Sequence, residues 1–138
     1  MRAQLNATVA PEGYRSGVLS PELAEAWRSR VANDLGVWYS ESPLRSHLGG
    51  TNNVIASLME QPGPIVASVD VVRVQMPPAS IDGDAARISE AAIEYTTHFA
   101  PGTWNEAHVE GATMCRFDLR RSDARWVVVD EGCNVSGG

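Results

Sequence analysis

A long alternation between apolar and charged residues, from Asp84 to Asp130, is the feature that most restricts how this chain can fold. The odd-numbered residues of 91–99 and 107–119 are small, apolar or aromatic, whereas the charges and histidines lie at even positions. Successive side chains of a strand point to opposite faces, so a period of two over this length predicts strands with one buried face. The run Trp126–Val129 predicts a further strand, covered on both faces.

The segment Ala100–Gly102 predicts a three-residue hairpin turn, because proline presets a turn angle and glycine accepts a positive φ. A turn centred on its proline would place Glu94 opposite His108 and His98 opposite Trp104. Residues 65–76 predict another strand, with a bulge near Val71–Val72, where the apolar parity changes. Ile88 also breaks parity, and a second bulge, opposite the first, is expected to account for both breaks.

The first half of the chain has helical signals. Ser20-Pro21-Glu22 predicts a helix start, followed by an amphipathic helix of about 20 residues. Its predicted apolar side consists of Leu23, Trp27, Val31, Leu35 and Trp38. Pro43 and Gly49–Gly50 are expected to break the next segment, and Thr51–Asn53 to cap a separate second helix.

These elements predict an α+β fold in which N-terminal helices pack on a curved, four-stranded antiparallel sheet. Residues 1–19 are expected to be a flexible N-terminal arm, and residues 20–135 a single domain. A chain of 138 residues with 43% hydrophobic content can bury a core without help from metal.

Composition excludes several classes of function. The chain has no lysine, so Schiff-base chemistry and lysine-dependent phosphate loops are excluded. A net charge of −6 without a basic cluster argues against nucleic acid as a partner. No apolar run has the length of a membrane span, so membrane insertion is not expected. No cofactor is predicted, and no metal, because the cysteine spacing matches no zinc motif.

Cys115 and Cys133 are the only cysteines. A last hairpin centred near Asp123 would put them on one face at a diagonal position, near the limit of disulfide reach. This register leaves both the bridged and the free-thiol states open. The N-terminus does not resemble a signal peptide, which predicts a cytoplasmic location for the chain as it stands, or an extracytoplasmic one if a leader or anchor has been removed.

The order of a helical half and four strands, from about Ser20 to Cys133, resembles the nuclear transport factor 2-like superfamily. The pattern of residues 115–128 is also similar to that family's usual last hairpin, with Ala124 where a glycine is common. The resemblance implies a cone-shaped sheet around a long helix, as in proteins of the ketosteroid isomerase and polyketide cyclase types. Members are enzymes, ligand binders or non-catalytic domains of larger assemblies. The cystatin fold is an alternative, although residues 65–68 lack the glycine of its inhibitory hairpin.

The resemblance implies a site inside the cone, on the odd-numbered face. The strand residues expected there, with Val127 and Val129 from the last strand, include no acid, arginine or histidine. If the protein is an enzyme, the candidate catalytic residues are Asp70 as a buried base and Tyr95 and Tyr39 as hydrogen-bond donors. Candidate ligand-binding residues are Trp38, Tyr39, Tyr95 and Phe117.

The even-numbered face offers a partner surface. Its candidate residues are Glu94, His98, Trp104, Glu106 and His108. This face could also pair two copies of the chain, so a homodimer is a further prediction.

The function predicted from these observations is a non-catalytic cone-fold domain that binds a protein partner or a small apolar ligand as an accessory part of a larger system. The competing prediction is a small isomerase, dehydratase or hydrolase of the polyketide cyclase type. A third is a structural dimerisation module.

Overall fold

The computed structural model describes residues 1–137, and the side chains of residues 1–134. The elements in chain order are α1 Arg2–Asn6, α2 Pro21–Gly36, α3 Glu41–Glu60, β1 Val66–Gln75, β2 Ser80–Asp82, β3 Ala85–Phe99, β4 His108–Ser122 and β5 Arg125–Gly137. The strands form one antiparallel sheet in the order β1-β3-β4-β5, and the short β2 pairs with the beginning of β3. The predicted α+β class is confirmed. The sheet has five strands rather than four because the chain reverses at Gly83, which has a positive φ.

The predicted parity of the long strands is confirmed. Ala91, Ile93, Cys115 and Phe117 are buried on the face towards the helices, which we call the inner face. Met114, at an even position, lies on the opposite, outer face and is exposed. The alternation therefore identified the core side of β3 and β4 from sequence alone.

Bulges are present at both places where the parity breaks, but they do not lie opposite each other as predicted, since the second falls beyond the last β1–β3 pair, Gln75 and Ala92. The pairing of β1 with β3 shifts between Val71 and Arg73, and the pairing of β3 with β4 shifts between Ile88 and Ala91. Each extra residue restores the apolar parity of its strand, which is why both could be predicted from a break in parity.

The connection between β3 and β4 differs from the predicted three-residue hairpin. Pro101 and Gly102 do form a turn, closed by the hydrogen bond from the Thr103 N–H to the Ala100 carbonyl at 3.1 Å. However, the Ala100 N–H donates to the Ile65 carbonyl at 2.8 Å, which ties this turn to the start of β1. The strands meet again where the Phe99 N–H donates to the Ala107 carbonyl at 2.9 Å, and His98 and His108 are directly opposite each other. Glu94 consequently faces Ala112, and the predicted pairing of Glu94 with His108 was wrong.

The helix α2 begins where predicted, with the Leu23 N–H donating to the Ser20 side chain at 3.3 Å. The predicted break in the next segment was wrong, since α3 is continuous through Pro43 and Gly49–Gly50. Proline is tolerated in the first turn of a helix, where its missing N–H would have no helical partner. The two glycines have only a propensity cost there, which the buried side of the helix offsets.

Residues 1–19, predicted to be a flexible arm, pack against the domain in this structure. Ala10, Tyr14 and Leu19 are buried. The Trp27 indole N–H donates to the Ala7 carbonyl at 2.9 Å, and the Leu19 N–H donates to the Leu58 carbonyl at 2.9 Å. Sparse apolar residues between glycines and prolines gave no periodic signal of this packing.

The last hairpin brings the two cysteines together. Its turn residues Asp123 and Ala124 both have positive φ, which makes a two-residue loop, and a bulge shifts the register between Asp118 and Leu119. The loop and the bulge each shift the pairing of β4 with β5 by one residue, so the pairing beyond the bulge differs by two residues from the predicted pairing. Cys115 is therefore directly opposite Cys133, with Cα atoms 4.1 Å apart, and the two form a disulfide.

Candidate functional site

A polar cluster joins three elements on the inner face. Glu131 of β5 accepts a hydrogen bond from the Gln4 side chain of α1 at 2.7 Å and makes a close ion-pair contact with His47 of α3. The ring of Tyr39, from the segment between α2 and α3, packs edge-on against His47 with a centroid separation of 4.8 Å. The side chains of Glu131 and His47 are only 13% and 25% exposed, so both are largely buried.

The surroundings of Glu131 favour its charged form. Burial alone would raise the pKa of this carboxyl, but the hydrogen bond and charge of His47, helped by Tyr39 and Gln4, outweigh burial and lower it. Burial, together with the negative charge of Glu131, strongly raises the pKa of Tyr39. Glu131 is therefore an ionised acceptor, and Tyr39 is a neutral phenol.

A cleft of about 580 Å³ opens beside this cluster, and we call it the Glu131 cleft. Its helical wall includes Gln4, Ser46 and His47, and its strand wall includes Tyr95 and Glu131. The cleft lies between α1, the beginning of α3 and the inner face of the sheet.

A second opening follows along the inner face past Tyr95, and we call it the Trp104 groove. It has a volume of about 400 Å³. Its lining residues are Pro64, Tyr95, Thr97, Phe99, Trp104, Glu106, Val109, Glu110 and Gly111. Tyr95 borders both openings and rests on Gly111, where an added Cβ would lie 2.9 Å from the ring. The helices thus cover the inner face only in part, and the end near the loop 100–107 is open.

The predicted catalytic residues are not brought together. The Asp70 side chain is 70% exposed and lies 2.8 Å from the His98 ring on the outer face. Tyr39 is buried in the Glu131 cluster, and Tyr95 lies between the two openings. Asp70 is therefore not a buried base: it pairs with Thr96 in the register that precedes the Val71–Arg73 bulge, and its side chain faces outward.

The predicted ligand-binding residues also separate. Trp38 is 58% exposed, whereas Phe117 is only 5% exposed within the core. Neither lines the cleft or the groove. Of the four candidates, Tyr95 alone borders both openings, and Tyr39 contributes through its contact with His47.

The predicted partner surface divides into two parts. Glu94, His98 and His108 belong to the outer face, where the two histidine rings lie 6.0 Å apart. Trp104 and Glu106 lie on the loop instead, and they line the Trp104 groove on the inner side. The longer connection between β3 and β4 is the cause of this division.

Sequence reasoning missed Glu131, His47 and Gln4. The bulge in β5 makes Val128 an inner residue instead of Val127, and Val128 packs against both apolar clusters. Val129, also predicted on this face, borders the Glu131 cleft together with Glu131. The signal for Glu131 was its odd position, two residues after Val129, which the predicted parity already placed on the inner face opposite the odd residues of β4. His47 had no signal, because the helix that positions it was predicted to be broken.

Among residues 1–137, no group of three or more histidine, cysteine, aspartate or glutamate side chains is arranged to hold a metal ion. Within the same range, no helix combines the length and the apolar character needed to cross a membrane.

Comparison with known proteins gives one informative likeness. No protein-family model matches the chain, and no curated protein matches it. Among solved structures, the chain is similar to the crystal structure of the intermembrane space region of chloroplast protein ARC6. The TM-score is 0.57 at 13% identity, over 76% of this chain and 78% of that one. At this identity the likeness concerns the fold alone.

Proposed function

We propose that this chain is a non-catalytic binding domain, an accessory part of a larger system, that binds a partner segment or small apolar ligand on the open part of its inner face. The observation that carries the proposal is the incomplete cover of the sheet. Tyr95, Phe99 and Val109 lie on the face that elsewhere forms the core, yet here they line a groove open to solvent. Apolar residues left open in a concave place are typical of binding sites.

The polar cluster supports binding rather than catalysis. Glu131 is in contact with His47 and Gln4, and its lowered pKa makes it a weak base at neutral pH. These contacts connect α1, α3 and β5, which is a structural role. Asp70 is 70% exposed on the outer face, away from both openings.

A small enzyme of the polyketide cyclase type is the second candidate, with Glu131 and His47 in place of Asp70. The observation in its favour is that this acid-histidine pair borders the 580 Å³ Glu131 cleft, together with Tyr95. In that case ligands would bind beside Glu131 rather than beside Trp104.

The nuclear transport factor 2-like superfamily remains our proposal for the chain's relatives, with the helices-then-sheet order as its support. The disulfide supports an extracytoplasmic location, because such bonds persist mainly in oxidising compartments.

Fragment mapping by NMR tests the proposed function. The oxidised protein, labelled with ¹⁵N, is titrated with a set of small apolar and aromatic fragments. We expect shift changes to concentrate at Thr97, Val109, Gly111 and the Trp104 indole. Changes confined to the backbone around His47 and Glu131 would favour the enzyme, and changes confined to the outer strand residues would refute both.

A further inference from the structure

The Trp104 groove combines aromatic walls from two elements. Tyr95 and Phe99 come from β3, and Trp104 comes from the loop that follows. The rings of Phe99 and Trp104 have centroids 6.0 Å apart and are tilted by 35°, so they form adjoining walls. Trp104 is 49% exposed, which leaves much of its ring available to a ligand.

The charges at this groove have one sign. Glu106 and Glu110 are the charged residues among those that line it, and no arginine or histidine lines it. At another tryptophan, Trp126, an arginine of the chain is the cation: the Arg121 guanidinium lies 5.7 Å from the centre of the Trp126 ring. The net charge of −6 adds a long-range attraction for cations.

From this combination we infer that the Trp104 groove is a binding site for an organic cation with a quaternary ammonium group. Aromatic faces attract cations through the negative potential above the ring. A quaternary ammonium ion suits such walls because its methyl groups pack on the rings and it needs no hydrogen-bond acceptor. Glu106 contributes charge attraction from the loop beside Trp104, and Glu110, an even residue of β4 that pairs with Thr96, adds negative charge at the edge of the groove from the outer face. The inference rests on the proposed function, because it concerns the same groove and replaces an uncharged apolar ligand by one whose positive charge lies within a shell of methyl groups.

The test compares choline with its neutral carbon analogue, 3,3-dimethylbutan-1-ol, which has the same shape without the charge. Binding to the oxidised protein is followed at low salt through the Trp104 indole NMR signal. We expect choline to bind about tenfold more tightly than the alcohol. Trp104→Ala should abolish choline binding as measured by calorimetry, and Glu106→Gln should weaken it by about threefold. Trp38→Ala is the matched control, since it removes a tryptophan of similar exposure, 58% against 49%, that lies outside the groove.

A second ligand and the possible outcomes complete the test. A peptide that contains trimethyllysine tests the other common source of this group, and tighter binding of the peptide than of choline would assign the cation to a protein partner. Equal affinities for choline and the alcohol would overturn the inference but leave the groove as an apolar binding site. Absence of any shift at Trp104 with choline or the peptide would also overturn it, whereas apolar fragments that still bind would keep the proposed function intact.

Discussion

Glu131 is the residue whose environment departs most from what the sequence predicts. It is an acid on the inner face of a strand, and it is tolerated there because His47 and Gln4 compensate its burial. We expect Glu131→Gln to destabilise the protein by about 1–3 kcal/mol, since Gln4 and His47 lose the charged acceptor of their hydrogen bonds. Urea unfolding at pH 7 measures this effect, with Glu90→Gln as the control that removes an exposed carboxylate.

The lowered pKa of Glu131 also predicts a pH dependence. In the unfolded chain the pKa of this carboxyl is near 4.5, and in the folded protein it is lower. Its charged form therefore stabilises the fold at pH values above 4.5, and this stabilisation is lost as the pH falls through the unfolded and then the folded pKa. The stability difference between the wild type and Glu131→Gln should therefore shrink below about pH 4.5. A difference that stays constant from pH 7 to pH 3 would contradict the ionic role.

Gly111 is the second residue with a specific requirement, because Tyr95 lies where its Cβ would be. We expect Gly111→Ala to cost about 1–3 kcal/mol through overpacking. In the background of Tyr95→Ala the same change should cost much less. A double-mutant cycle from thermal unfolding measures this coupling, and additive effects would show that the ring does not depend on this glycine.

At the scale of elements, strands were predicted better than their connections. The buried face of the strands and the positions of the bulges could be predicted from the alternation of side chains from Ala91 to Phe117. This alternation is a local pattern, because one face of the sheet is buried and successive side chains point to opposite faces. The length of the loop 100–107 depends on hydrogen bonds to Ile65, far away in sequence, and no local pattern contains them. The continuity of α3 likewise depends on buried Ile55 and Leu58 rather than on helix propensity.

The link between β4 and β5 gives a prediction for these elements. The Cys115–Cys133 disulfide closes a loop with a sequence separation of 18, so its removal should cost about 3 kcal/mol. We expect the double variant Cys115→Ala, Cys133→Ala to unfold at lower urea concentration than the oxidised protein. A reducing agent should destabilise the wild type similarly and leave the variant unchanged. If the oxidised protein lacks the two-hydrogen mass difference, the bridge itself is refuted.

At the scale of the whole molecule, the helices-before-sheet arrangement was predictable, whereas the candidate site was not. Of the candidate site residues predicted from sequence, only Tyr95, Trp104 and Glu106 border the Trp104 groove. The groove exists because the helices, the loop and the sheet leave a space between them, and no local sequence pattern describes such a space. A homodimer through the outer face stays a prediction. Native mass spectrometry of the oxidised protein checks it, and a purely monomeric spectrum at micromolar concentration would contradict it.

The most direct test of the binding account measures the affinity of one groove-binding apolar fragment for two variants. Val109→Trp fills the open part of the inner face, and Glu131→Gln changes the polar cluster while leaving the groove open. We expect the first change to weaken binding by at least about tenfold and the second to leave it within about twofold, by calorimetry on variants shown to be folded. Loss of binding with Glu131→Gln and normal binding with Val109→Trp would contradict the account and indicate a site at the Glu131 cleft.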